Sequence, residues 1–167
     1  NAQTLAVVVS QSGESAEIVR LVNELAKQRT RPFVVAITNG TNNDLSRRAD
    51  IELDTWAGPE SGPSSMTFAA SMTTLSGLAR LLAGDSVDTA VDRTRTAAEG
   101  AARSAERLLD DPEAFATDLE AWHGGRDVIV LLGRGPARAA TELGALVLKE
   151  SGVMAESLES GLFRHGP

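Results

Sequence analysis

Six consecutive residues, Ser10-Gln11-Ser12-Gly13-Glu14-Ser15, bring three hydroxyls, an amide and one glycine to the point where the apolar run LAVVV (5–9) gives way to a charged helical pattern. If that run is a strand of a parallel sheet, the turn sits at the strand's carboxyl end, where open α/β sheets bind ligands. The helix that follows aims its free N–H groups and positive dipole end back at the turn. An anion held there gains backbone donors, and Ser10, Gln11, Ser12 and Ser15 can add side-chain donors. None of these donors carries a formal charge. That suits a phosphate monoester that is held, released and left chemically intact. The same residue types are also ordinary turn and N-cap residues, so the physics of the stretch leaves a plain turn and an anion cradle both open.

Other chemistries find less support. The nucleotide loop GxxxxGK[ST] is absent, and Gly133-Arg134-Gly135 supplies only the first half of GxGxxG. The hydrolase elbow GxSxG is absent as well. His123 and His165 lie in different contexts without helical ligand spacing, and there is no cysteine, so neither a zinc site nor a thiol nucleophile is expected within this stretch.

The elements that must position the turn follow from periodicity. Leu5–Val9 has the continuous β-branched pattern of a strand covered on both faces. Ile18, Val22, Leu25 and Ala26 recur at helical spacing to about residue 28. Pro32 introduces a second strand, 33–37, which ends at the turn cluster Thr38-Asn39-Gly40. A short helix is expected over 45–49 with Asp44 as its N-cap, then a third strand over 51–55. The Gly/Pro/Ser-rich loop AGPESGPSS (57–65) leads into helices over about 65–82, 87–109 and from Pro112 to about 122. The strand–turn–helix plan then restarts with 128–132, Gly133-Arg134-Gly135 and a helix from about Pro136 to Glu150. The expected class is therefore α/β, a three-layer α/β/α parallel sheet in two tandem units. The expected divisions are 1–84, a helical connector over 85–124, and 125–167.

Composition narrows the partners. An apolar share of 42% with 23% charged residues is that of a globular domain with a real core. The net charge of −7, without a Lys/Arg cluster, argues against nucleic acid. No apolar stretch approaches the roughly 20 residues a membrane helix needs, and no signal peptide is visible. A cytoplasmic location is expected.

Seven motifs then occur in order: SQSGES (10–15), VAITN (35–39), AGPESGPSS (57–65), LLGRG (131–135), ELGALVLKE (142–150), AES (155–157) and RHGP (164–167). Together they resemble the sugar-isomerase (SIS) family, and within it the isomerase half of the glutamine–fructose-6-phosphate aminotransferases and the related deaminases and isomerases. The resemblance implies a flavodoxin-like fold of two SIS domains, entered here midway through the first and left early in the second. It implies that Ser10, Gln11, Ser12 and Ser15 hold a sugar phosphate and that Ser65 approaches the sugar. It further implies that Glu150 is the base moving a proton between C1 and C2, and that His165 assists ring opening from a second subunit of a homodimer. No metal or organic cofactor is implied. As residues alone, Lys149-Glu150 also reads as a solvated pair at a helix end, and His165 before Gly166-Pro167 as a turn residue.

Departures from the aminotransferase-type pattern are specific. Val147 stands where those relatives have lysine, Met66-Thr67 where they have Thr-Lys, and Leu162 where they have glutamate. The expected function is thus action on an amino-sugar or ketose phosphate, with isomerisation, deamination and amination all open. The alternative is a phosphosugar sensor without catalysis.

Overall fold

Leu5–Val9 forms strand β1, and the polar turn after it leads into helix α1, Ala16–Ala26. The computed structural model describes residues 3–165, without the side chain of His165. The chain divides into two units, Asn1–Arg103 and Ser104–Pro167. The division falls inside helix α3, Val87–Leu108, within the stretch expected as a helical connector. Among the described residues no helix is long and apolar enough to cross a membrane.

In the first unit, β1 is followed by β2 (Phe33–Thr38), a single 3-10 turn (Ser46–Arg48), β3 (Ile51–Asp54) and α2 (Met66–Leu82). The three strands pair in the order β1-β2-β3, all parallel, with Val8 opposite Ala36 and Ile37 opposite Leu53. The apolar stripe of α1 places Ile18 and Val22 against Val8, Val34 and Ala36, and Leu45 closes this cluster from the 3-10 segment. Burying such side chains contributes about 1.5–3 kcal/mol each, which is why α1 forms against this face.

Two expectations are corrected here. Strand β1 is covered on its Ala6/Val8 face only, and Leu5, Val7 and Val9 remain exposed. The physical reason is that α1 and Leu45 pack against the Ala6/Val8 face. Asp44 does not cap the short helical segment. Asn43 does so instead, its Oδ1 accepting the Ser46 N–H at 2.9 Å. The Asp44 carboxylate is taken by Arg47 and Arg48, which hold its pKa below the usual value against the opposing effect of burial.

At the opposite end of the strands, Asp50 accepts both the Arg31 guanidinium and, at 2.8 Å, the N–H of Val34. The Arg31 hydrogen bond, then the Val34 one, keeps the Asp50 carboxyl below its ordinary range. This joins the starts of β2 and β3 and helps set their register.

The second unit begins with the end of α3. Helix α4, Pro112–His123, starts from Asp111, whose side chain accepts the Ala114 N–H at 2.9 Å, and stops at Gly124 in the left-handed region. Strand β4 (Ile129–Gly133) then pairs in parallel with β5 (Ala155–Glu159), with α5 (Ala137–Glu150) as the crossover, and α6 (Ser160–His165) follows. Neither β5 nor α6 was expected. AESLE carries two carboxylates among five residues and shows little strand signal by itself. Pairing with β4 supplies its backbone partners, and its inward face, Ala155 and Ser157, meets α5, where Thr141 Oγ1 and Ser157 Oγ lie 2.9 Å apart.

The β4–α5 corner depends on Gly133. A β-carbon there would lie 2.6 Å from Thr141 Oγ1 and 2.9 Å from the Ala137 carbonyl oxygen. Gly133→Ala is therefore expected to destabilise the chain by about 1–3 kcal/mol through overpacking. Chemical denaturation checks this, and a midpoint equal to the parent's would contradict so close an approach.

Candidate functional site

The turn after β1 is held from below. Ser10 is 9% exposed; its N–H donates to the Ile37 carbonyl at 3.0 Å and its Oγ accepts the Gly13 N–H at 3.2 Å. Ser10 therefore shapes the loop, with its hydroxyl partly occupied. Gln11, Ser12 and Ser15 are exposed. Ser12 Oγ accepts the Glu14 N–H at 3.2 Å and retains its own proton to donate. Ser15 occupies the N-cap position of α1, yet its side chain makes no capping hydrogen bond. The N–H groups at the start of α1 thus face the turn without a side-chain cap, although Glu17 places a carboxylate in the first turn of the helix.

Two asparagines fix this turn against the neighbouring strand ends. Gly13 adopts φ +66°, and a β-carbon there would lie 2.0 Å from Asn43 Oδ1. Asn43 is 6% exposed; its Nδ2 donates to Thr38 Oγ1 at 3.1 Å and to the Gly40 carbonyl at 2.8 Å. The Leu45 N–H donates to the Gly13 carbonyl at 2.9 Å, completing the clasp. Asn39 links all three carboxyl ends. Its N–H donates to the Gln11 carbonyl at 2.9 Å, its Nδ2 to the Gly58 carbonyl at 2.8 Å, and its Oδ1 accepts the Ala57 N–H at 3.1 Å. The serine turn is a preorganised part of the sheet edge.

Trp56 stands on the same edge, 85% exposed and at φ +55°. A bulky side chain in the left-handed region costs about 1–2 kcal/mol. Asp54 offsets part of it by accepting the Trp56 and Gly40 N–H groups, both at 3.0 Å. These residues, with Asn39, Gly58 and Pro59, line a cavity of about 340 Å³.

Ser65 lies at the N-cap of α2, exposed, and a carboxylate already occupies that helix end. Glu60 Oε1 accepts the N–H groups of Ser65 at 2.8 Å and Met66 at 2.6 Å, while its Oε2 accepts that of Thr67 at 3.2 Å. The Thr67 side chain first, then these N–H groups, hold the Glu60 carboxyl below its usual range despite partial desolvation. Helices α1 and α2 thus differ: an internal anion fills the second, and no side chain caps the first.

In the second unit, Glu150 is the exposed last residue of α5. Lys149 pairs with Glu156 at 3.3 Å, so the adjacent lysine does not neutralise Glu150. A carboxylate at a helix C-terminus opposes the macrodipole, which argues that helix stability is not what Glu150 serves. The His165 side chain lies outside the described residues. Ser10, Gln11, Ser12, Ser15 and Ser65 belong to the first unit, and Glu150 and His165 to the second. Sequence reasoning missed Asn39, Asn43, Trp56 and Glu60. Only the turn composition of TNGTNN (38–43) hinted at the asparagines. Among the described residues no group of three or more His, Asp or Glu is arranged to hold a metal ion.

Two outcomes follow from this geometry. Gly13→Ala combines left-handed strain with a clash on Asn43, and is expected to cost about 2–4 kcal/mol in denaturant unfolding; a loss under half of that would mean the clasp yields freely. For Glu60, the folded pKa lies below the unfolded one. Its stabilisation is therefore complete above the ordinary carboxyl range, about 4.3, and is lost as pH falls through the folded value. Amide protection at Met66 and Thr67 should fall in that acid range in the parent chain. In Glu60→Gln it should be low throughout, and an acid-dependent step surviving in that variant would remove Glu60 as the cap.

Residues 1–82 match the model of the SIS domain. Glutamine–fructose-6-phosphate aminotransferase [isomerizing] of Clostridium tetani is 32% identical over 169 residues, covering 98% of this chain. The chain spans 27% of that curated relative's length. Among solved structures, the C-terminal domain of glucosamine-fructose-6-phosphate aminotransferase from Francisella tularensis matches at TM-score 0.76 and 28% identity, over 98% of this chain and 46% of that one. Glucosamine-6-phosphate deaminase from Thermotoga maritima shares the fold at TM-score 0.71 and 20% identity, over 100% of this chain and 49% of that one. With parallel strands, a crossover helix and a polar turn at the carboxyl end of β1, residues 1–82 of this chain belong to the SIS domain family.

Proposed function

We propose that the chain is the phosphosugar-handling part of an enzyme acting on an amino-sugar or ketose phosphate. The observation that carries this reading is the serine turn. Exposed neutral donors at Gln11, Ser12 and Ser15 surround the uncapped N-terminus of α1, held in place by Asn39 and Asn43. A phosphate dianion is stabilised there by the helix dipole and by several hydrogen bonds. Ser10 sets the loop and Ser65 approaches the sugar. The exposed Trp56 beside Asn39 offers an apolar surface at the same edge.

Glu150 is the proposed base. Its carboxylate takes the proton from one sugar carbon. The C–H electron pair becomes a C=C bond, and the adjacent C=O or protonated C=N π pair moves onto the oxygen or nitrogen, giving an enediolate or enolamine. The same acid then returns the proton to the neighbouring carbon. The first carbon's hydroxyl meanwhile loses its proton, to the enediolate oxygen or to solvent, and becomes the new carbonyl. One group can serve both positions because they are a single bond apart. His165 assists ring opening, from the second subunit of a homodimer, and the location is the cytoplasm. Relatives named as glutamine–fructose-6-phosphate and glucosamine-fructose-6-phosphate aminotransferases support the substrate class.

The departures from the aminotransferase pattern at Val147 and Met66-Thr67 leave isomerisation and deamination as open as amination, and the alternative to an enzyme is a phosphosugar sensor without turnover. Titration with glucosamine 6-phosphate and fructose 6-phosphate, following melting temperature and product together, separates the two. Glu150→Gln is expected to keep the ligand-induced thermal shift while lowering turnover about 10²–10⁴-fold. Undiminished turnover in that variant would dismiss Glu150 as the base, and a thermal shift without product in the parent chain would favour the sensor.

A further inference from the structure

We propose that the second unit carries its own small-molecule site, built for a ligand bearing both an oxyanion and a protonated amine. A cavity of about 410 Å³ is lined by Arg134, Glu159, Ser160, Gly161 and Arg164. The sheet register explains its position. Gly133 and Glu159 are opposite one another at the carboxyl ends of β4 and β5, so Arg134 leaves the sheet beside Glu159. Helix α6 starts at the next residue, Ser160, and brings Arg164 round one turn later. Carboxyl ends of parallel strands are where such sheets bind ligands, and this volume lies in the range of small-molecule pockets.

The charges in this cavity are held apart. Arg31, Arg47, Arg48, Arg93, Arg95, Arg103 and Arg138 each pair with a carboxylate. Arg134 and Arg164 form no ion pair among the described residues, as Arg20, Arg29, Arg80, Arg107 and Arg126 do not, but these two line one cavity together with Glu159. Glu159 is turned instead onto the α6 backbone, where its Oε2 accepts the Leu162 N–H at 3.1 Å. Gly161 makes room for that arrangement, since a β-carbon there would lie 2.7 Å from the same oxygen.

Two guanidiniums are suited to a phosphate or carboxylate, whose oxygens they can engage in bidentate fashion. A simple anion would leave the Glu159 carboxylate close to like charge. A ligand that also carries an ammonium group would satisfy all three charged side chains, with the Ser160 hydroxyl as a neutral partner. The first unit's turn offers no cation, so the two edges differ in kind. This inference rests on the cavity and stands independently of the proposed chemistry at Glu150.

The test is a ¹H–¹⁵N NMR titration of the full chain with glucosamine 6-phosphate, with glucose 6-phosphate and glucosamine as probes lacking one charge each. Saturable shifts are expected at the amides of Arg134, Gly135, Ser160 and Gly161. Glucosamine 6-phosphate should bind there about tenfold or more tightly than either probe, as loss of a charged hydrogen bond predicts. Arg134→Met and Arg164→Met should each weaken it by a similar factor. Glu159→Gln should abolish the preference over glucose 6-phosphate. Shifts at residues 10–15 report the serine turn separately, so failure there is distinguishable. Absence of saturable shifts at the four amides, or their persistence in a folded Arg134→Met/Arg164→Met double variant, would overturn the site. A preference unaffected by Glu159→Gln would overturn the assignment of the amine.

Discussion

The amide of Asn43 occupies the space that a β-carbon on Gly13 would fill, while bonded to Thr38, to the Gly40 carbonyl and to the Ser46 N–H. One buried side chain thereby sets the end of β2, the start of the 3-10 turn and the floor of the serine turn. Leaving those partners unsatisfied would cost about 1–3 kcal/mol for each buried group. The glycine is required both by its positive φ and by the approach of the amide. Because the strand ends are tied here, the exposed donors of Gln11, Ser12 and Ser15 start from a fixed backbone. Preorganisation of this kind lowers the entropy a ligand must overcome.

The same physics has two outcomes at helices α1 and α2 of the first unit. Each presents uncompensated N–H groups and the positive end of a dipole. At α2, Glu60 meets three of those N–H groups, so the helix is closed off by its own chain. At α1, the candidate capping hydroxyl of Ser15 makes no such bond. The carboxyl edge of the second unit uses formal charges instead, with Arg134 and Arg164 facing a cavity that Glu159 also lines. Neutral donors and charged ones thus mark two sheet edges of a common design with different chemistry.

Much of the architecture was legible because it is local. LAVVV, the Pro32-led strand and the Ile18/Val22/Leu25 spacing each encode an element through a period that needs no distant partner. The family was legible because seven short motifs kept their order. Elements whose stability comes from pairing were not: AESLE becomes β5 only beside β4, and Ser160–His165 turns helical after it. The capping role given to Asp44 fell to Asn43, since Arg47 and Arg48 draw the carboxylate aside.

What the sequence by itself determined is the alternation of strands and helices and the serine-rich turn at the end of the first strand, both consequences of neighbouring residue types. The tertiary structure alone decided which groups stand around that turn. Asn39 is drawn to Gln11, Gly58 and Ala57, Asn43 to Gly13, and Glu60 to the start of α2, through contacts made after the chain has folded back. The reason is physical. Periodicity reports how a residue relates to its own helix or strand, whereas hydrogen bonds of side-chain amides and carboxylates satisfy donors from other elements. Those partners exist only once parallel pairing has brought the carboxyl ends of the strands together.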